Sequence, residues 1–193
     1  MTGKVRIIGG QWRGRRLAVP EHPGLRPSGD RSRETLFNWL APRIRGARCL
    51  DLFAGTGALG LEAASRGAAA VTLVERDRRL CRALDQIATD WPGGDALDVV
   101  CADAMAWLAA ADGPWDLVFV DPPFDARLHA PILDRLQRPG VLADQARVYL
   151  ESHAHEPVNI GPHWQVLREK RIGDVTMQLL EPNLSQSVPD RSI

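Results

Sequence analysis

The sequence predicts an α/β fold on an open, mostly parallel, Rossmann-like sheet, and three stretches predict it. Arg48 to Phe53 is a short apolar run with an acid, Asp51, inside it. Gly55, Gly57 and Gly60 follow at GxGxxG spacing, and Ala58 to Ala64 read as a helix. Ala70 to Glu75 is a second apolar run that ends in an acid. Trp115 to Val120 is a third, closed by Asp121-Pro122-Pro123-Phe124. Strand, tight glycine turn and helix start are how an open parallel sheet builds a ligand site at the carboxyl ends of its strands. Gly55 and Gly57 permit positive φ and close backbone approach. Dinucleotide enzymes share the glycine spacing, so the glycines alone do not choose the ligand.

The bulk properties bound the rest. At 193 residues and 45% hydrophobic, the chain is one domain with a sizeable core. The net charge is zero, but residues 1–48 carry 11 Lys+Arg against 3 Asp+Glu and the remainder 13 against 21. A basic arm on an acidic body points to a polyanion, with nucleic acid the natural candidate; the alternative is a solvated charged surface. Cys49, Cys81 and Cys101 are odd in number and far apart, as reduced core residues of a cytoplasmic protein would be. No run has the length of a membrane span, and Met1 to Arg6 lacks the apolar stretch of a signal peptide.

Taken in order, residues 5–19 hold two β-like runs about Gly9-Gly10 and read as a hairpin. Arg6, Arg13, Arg15 and Arg16 make it basic. Trp12 offers either a stacking surface for an unpaired base or a packing residue. Residues 20–27 are turn-rich. Asp30 is expected to cap a helix over about 31–40, with Arg26, Arg31 and Arg33 at its start. Arginines there oppose the helix dipole and hint at a bound anion. A helix over 76–91 follows Glu75, a strand over 97–102 precedes Asp103, and a helix covers 129–136. A strand over 147–151 and a hairpin over 165–180 about Gly173 finish the sheet. Residues 183–193 read as a polar, disordered tail. The expected division is a basic hairpin and helix, 1–45, a catalytic domain, 46–182, and the tail.

Each acid at a strand end has a candidate task. Glu75, 20 residues beyond Gly55, can accept both hydroxyls of a ribose. Asp103 can take an adenine amino group or cap the next helix. The ending Asp-Pro-Pro-Phe suits an enzyme that methylates an exocyclic amino group of a base, whose nitrogen lone pair is delocalised into the ring. Asp121 and the Pro122 carbonyl can bind the amino hydrogens and localise that lone pair. Two prolines fix the turn, which matters because transfer depends on placement. Phe124 gives a face on which a flipped base can stack. The methyl of S-adenosylmethionine is electrophilic already, so no metal is needed. Of the five histidines, only His153 and His155 have a close spacing, which reads as an exposed strand end.

Several of these stretches together resemble the RsmD-type methyltransferases, bacterial enzymes of the N2 amino group of one guanine in 16S ribosomal RNA. They are residues 6–15, Leu25-Arg26-Pro27, Asp30-Arg31 with residues 33–40, residues 53–63, residues 119–124 and Leu167-Arg168-Glu169-Lys170. The resemblance spans about residues 5–181. It implies a class I S-adenosylmethionine-dependent fold with a seven-stranded sheet and a C-terminal antiparallel hairpin. It implies S-adenosylmethionine as cofactor and the assembled or assembling small subunit as partner. It assigns the methionine part to Asp51, Gly55 and Gly57 with Phe53 and Thr56 beside them, and the ribose to Glu75 with Arg76. It assigns the adenine to Asp103 with Ala104, and the guanine to Asp121, Pro122 and Phe124. The expected RNA contacts are Arg6, Trp12, Arg13, Arg15, Arg16, Arg26 and Arg31, on a monomer without metal or membrane. Two competing readings are a DNA adenine-N6 methyltransferase, for which 193 residues leave no target-recognition domain, and a non-catalytic RNA-binding assembly factor.

Overall fold

The computed structural model describes residues 4–18, 29–123 and 127–183. A two-stranded hairpin comes first, β1 (Lys4–Arg6) and β2 (Arg16–Ala18), followed by helix α1 (Asp30–Leu40). The body then alternates strand and helix: β3 (Arg48–Asp51), α2 (Ala58–Ser65), β4 (Ala70–Glu75), α3 (Arg78–Asp90), β5 (Leu97–Cys101), α4 (Ala104–Ala110), β6 (Trp115–Val120), α5 (His129–Leu136) and β7 (Leu142–His153). A hairpin of β8 (Trp164–Ile172) and β9 (Val175–Pro182) closes the chain. The sheet has seven strands in the order β5-β4-β3-β6-β7-β9-β8. Neighbours from β5 to β7 are parallel, and β9 is antiparallel to both β7 and β8. The strand order reverses between β3 and β6, the switch point at which open sheets hold ligands.

Apolar runs buried on both faces make the central strands. Cys49, Leu117, Phe119 and Tyr149 face one core, with Leu36 and Phe37 of α1, Leu61 of α2 and Leu84 of α3. Leu50, Val118, Val120 and Leu150 face the other, with Leu108 of α4 and Ile132 and Leu133 of α5. The hairpin forms a third layer: Val5, Ile7, Trp12 and Leu17 join the first core through the helices beneath them. Among the described residues no helix is long and apolar enough to cross a membrane, and no three metal-ligating side chains cluster.

Two local readings change. Asp30 does not cap α1: Gly29 holds the cap position without a side-chain bond, and Asp30 is the first helical residue. Its carboxylate is drawn instead to two guanidiniums, Arg33 at 2.6 Å and Arg6 at 3.8 Å. The third helix starts at Arg78 rather than Arg76, because Asp77 accepts the backbone N–H groups of Arg79 and Leu80 as its cap. Arg26 and the tail from residue 184 lie outside the described residues, as does Phe124.

Candidate active site

The carboxyl ends of β3, β4, β5 and β6 bring the acids of the sequence to one rim. After β3 the chain turns through Gly55 and Gly57, at φ +53° and +81°. A Cβ on Gly57 would meet Leu61 and Leu84 at 2.7 and 2.6 Å, so glycine is required for space as well as conformation. A Cβ on Gly60 would run into the Leu73 side chain, so glycine lets α2 lie close on β4.

Asp51 is 1% exposed. Its Oδ2 accepts the Gly60 N–H at 2.9 Å. Its Oδ1 is buried and has no hydrogen-bond partner among the described residues. Burial pushes its carboxyl up to about 7; the Gly60 and then the Phe53 N–H oppose this, and the charge of Glu75 adds to it. Glu75 is half-buried and joins two loops: Oε2 accepts the Gly55 N–H and Oε1 the Asp77 N–H, both at 2.8 Å. Each oxygen keeps a second lone pair. Arg76 beside it is exposed. Asp103 caps α4 by accepting the Ala106 N–H through Oδ1 at 2.9 Å, with Ala104 buried next to it. Phe53 is half-buried and Thr56 buried in the glycine loop.

Asp121 and Pro122 follow β6 directly, Asp121 half-buried and Pro122 buried. Beside them lies a group that the sequence reading missed. Tyr149 and Glu151 stand on the neighbouring strand β7, and the Tyr149 hydroxyl donates to Glu151 Oε2 at 2.6 Å. Burial, then the charges of Glu151 and Asp121, holds the Tyr149 phenol well above its ordinary range. The ring of His129, from α5, bonds the Glu151 carbonyl through Nε2 at 2.8 Å, and burial holds this imidazole below its usual value. The alternation Tyr149-Leu150-Glu151 at a strand end was the available signal.

A family model described as "Conserved hypothetical protein 95" matches residues 5–181. The Ribosomal RNA small subunit methyltransferase D of Escherichia coli (strain K12) is 50% identical over 181 residues, covering 93% of this chain and 91% of that one. The protein of the same name from Haemophilus influenzae is 39% identical over 182 residues, covering 93% and 94%. The solved structure of yhhF from Escherichia coli matches with a TM-score of 0.84 at 48% identity, over 93% of this chain and 98% of that one. The chain belongs to the RsmD family. Its fold is that of the class I methyltransferases, with the mixed seven-stranded sheet expected from the sequence.

The hairpin of this RsmD-family chain corrects one expectation. Trp12 is 1% exposed and cannot stack on a base. Its ring meets Trp91 edge-on at 5.2 Å, and its Nε1 donates to the Pro92 carbonyl at 2.8 Å. It is large and apolar and had a helix end to cover, and burial of its ring contributes more than an exposed position would. Arg15 lies over the Trp91 ring at 4.7 Å. Arg13, Arg16 and Arg31 are exposed. Arg6 pairs with Asp30.

What holds the hairpin is Glu62, fully buried on α2. Its carboxylate accepts the Ile8 and Gly9 N–H groups at 2.8 Å each and the Arg66 Nε at 2.7 Å. The buried Arg33 guanidinium lies 3.7 Å away and also donates to the Arg6 carbonyl. Ser65 continues the seam, accepting the Trp12 N–H and donating to the Gly9 carbonyl. Sequence reading took α2 as a simple core helix and missed both.

Proposed function

We propose that this protein transfers a methyl group from S-adenosylmethionine to the exocyclic N2 amino group of one guanine in 16S ribosomal RNA, within the assembled or assembling small subunit. The observation that carries the reading is the adjacency of two strand ends. Asp51 on β3 is in register with Phe119 on β6, two residues before Asp121. A donor held at the glycine loop therefore meets an acceptor held at Asp121-Pro122.

The residues of the rim fit the cofactor. The orphaned Asp51 Oδ1 is a buried acceptor that suits the ammonium of the methionine part. The remaining lone pairs of Glu75 suit two ribose hydroxyls. Asp103 spends one oxygen on its cap, which leaves Oδ2 for the adenine amino group. When bound, the cofactor supplies a methyl made electrophilic by its sulfonium. The Asp121 carboxylate and the Pro122 carbonyl accept the N2 hydrogens and turn the nitrogen lone pair toward that methyl. The nitrogen sheds one proton as it gains the methyl, and Asp121 is the carboxylate beside it. Phe124 stacks the base. Exposed Arg13 and Arg16 offer outlying phosphate contacts, and Arg31 a nearer one.

The test is transfer of a tritiated methyl from the cofactor to small subunits, naked ribosomal RNA and DNA, with mass spectrometry of the product nucleosides. N2-methylguanosine from small-subunit RNA is the expected product. N6-methyladenine from DNA would overturn the reading. Tight cofactor binding without transfer to any substrate would make the protein an assembly factor.

A further inference from the structure

The stretch Leu167-Arg168-Glu169-Lys170 belongs to the family resemblance, yet the catalytic reading gives it no task. The sheet gives it a position. Val120 pairs with Leu150, so Asp121 follows Val120 as Glu151 follows Leu150. Glu151 pairs with Met177, and Met177 with Lys170. Asp121, Glu151, Met177 and Lys170 thus stand in one row across β6, β7, β9 and β8, at the carboxyl rim. Three strand spacings separate the ends of the row, about 14 Å. Residues in register share a face, and this face carries α1: Lys170 Nζ lies 3.5 Å from Thr35 Oγ1. Arg31 is one turn earlier on that side of α1, nearer the rim, and exposed. Arg171 follows Lys170, its Nε donating to the Gly173 carbonyl and its Nη2 3.3 Å from His155 Nε2 at the rim turn.

What singles out Arg31 and Lys170 is their place beside the rim row; like most of the described cations, they lie outside the ion pairs. Arg6, Arg33, Arg66 and Arg147 each have a carboxylate within 4 Å. Among the described residues none of the ion pairs takes Arg31 or Lys170. Glu169 and Arg171, two residues apart on β8, face the side opposite Lys170, and Glu169 accepts from Gln178 at 2.8 Å. Glu34 and Asp174 are exposed nearby without pairing to them. The hairpin tip, by contrast, rests on Ser65 and Pro92, at the ends of α2 and α3 that point away from the rim.

We infer that Arg31 and Lys170 form a phosphate-contact surface for the RNA strand that flanks the target nucleotide. The inference rests on the ribosomal RNA reading above. The rim row sets the distance: cations about 14 Å from Asp121 meet the backbone of neighbouring nucleotides and not the flipped base itself. Charged residues on an edge strand also deter association between sheets, and the experiment separates the two roles.

The full chain with Arg31→Gln and Lys170→Gln is compared with the parent in steady-state methylation of small subunits and in binding across salt concentrations. A KM for RNA at least tenfold higher is expected, with kcat within twofold and cofactor affinity unchanged. The log–log salt slope should become shallower by about 1.4, two contacts at roughly 0.7 each for single-stranded RNA. Glu169→Gln, on the opposite face, should leave all of these unchanged, and Lys170→Arg alone should keep the parental KM. A parental KM and salt slope in a soluble double variant would overturn the inference, as would aggregation with unchanged RNA affinity, which is the mark of an edge guard alone. Should the double variant not fold, Lys170→Gln alone, an exposed change, is expected to raise KM about threefold, and no change would count against the surface. If the parent itself methylates no ribosomal RNA, it is the reading beneath that fails.

Discussion

The rim at the carboxyl ends of the strands and the amino-terminal hairpin are both rich in charge, but they treat their polar groups in opposite ways. In the hairpin seam nearly every polar group meets an opposite one, with Arg33 Nη1 reaching Glu62 only at 3.7 Å. Glu62 takes two backbone N–H groups and two guanidiniums approach it, Ser65 both accepts and donates, and Trp12 gives its Nε1–H to a carbonyl. At the rim a buried carboxylate oxygen of Asp51 is left without a partner, and Glu75 and Asp103 spend only part of their capacity on the backbone. A buried acceptor without a donor costs stability, and at a rim of partly spent acids it is the feature on which we base the proposed cofactor contact. The lesson is that charge density alone misidentifies function here. The most arginine-rich segment is partly architecture, and the sparser rim is where we propose that the chemistry gathers.

The largest expected effect breaks the hairpin side. Glu62→Ala removes the charge from a site that keeps Arg33 at 1% exposure. Arg33 keeps Asp30, at 2.6 Å on the exposed side, and two N–H groups are orphaned, so the change should cost about 3–5 kcal/mol. Denaturant unfolding reads this directly. A loss below about 1 kcal/mol would mean that the hairpin is not held through Glu62.

Asp121→Ala probes the other region. It should reduce turnover at least about 100-fold, close to 2.7 kcal/mol of transition-state stabilisation, while cofactor binding stays near the parental value. Calorimetry with single-turnover kinetics separates the two. Loss of cofactor affinity of the same size would make Asp121 a structural residue of the β6 end.

Asp51 makes the contrast a matter of pH. Its folded carboxyl is raised to about 7 from an ordinary 3.8, so the folded protein without ligand prefers the protonated form. Stability from this group is therefore greatest at low pH and is lost as pH rises from about 4 through about 7. A cationic ligand group reverses the preference, since it favours the ionised carboxylate. Cofactor affinity should accordingly fall as pH drops from about 7 toward 5, with proton release on binding near pH 6.5. Asp51→Asn should abolish both trends. Calorimetry in buffers of different ionisation enthalpy checks the release, and a pH-independent parent would remove Asp51 from the site.

What the sequence made legible was local. Period, chain breaks and glycine spacing marked the strands of the body, the turn at Gly55–Gly57 and the acids at the strand ends, because each depends on neighbours within a few residues. What it hid was the third layer. All eight residues of α2 are buried, Glu62 and Ser65 included. In an isolated helix polar residues mark the solvent side, and nothing near α2 in sequence announces that a hairpin more than 50 residues earlier covers that side. Tyr149, Glu151 and His129 were hidden for the same reason: their meeting depends on how β7 and α5 dock. Asp30 shows the converse error, a good capping residue diverted by two guanidiniums that tertiary structure delivers.

The smallest expected effect tests whether Trp12 has been assigned to the right side of the comparison. Trp12→Phe keeps an aromatic ring in a site 1% exposed but removes the Nε1 donor to Pro92. The Pro92 carbonyl belongs to an exposed residue and can turn to water. The cost should therefore be near the net value of one hydrogen bond plus a modest packing loss, about 1–2 kcal/mol of stability. The RNA side should not respond, because a ring enclosed by Trp91 and the hairpin offers no face to a base. Subunit affinity and its salt dependence should match the parent within error, since no charge has changed. A variant of parental stability with at least fivefold weaker subunit binding would reverse the assignment. It would mean that the hairpin opens to present Trp12 to RNA, and that its polar seam is a latch rather than a foundation.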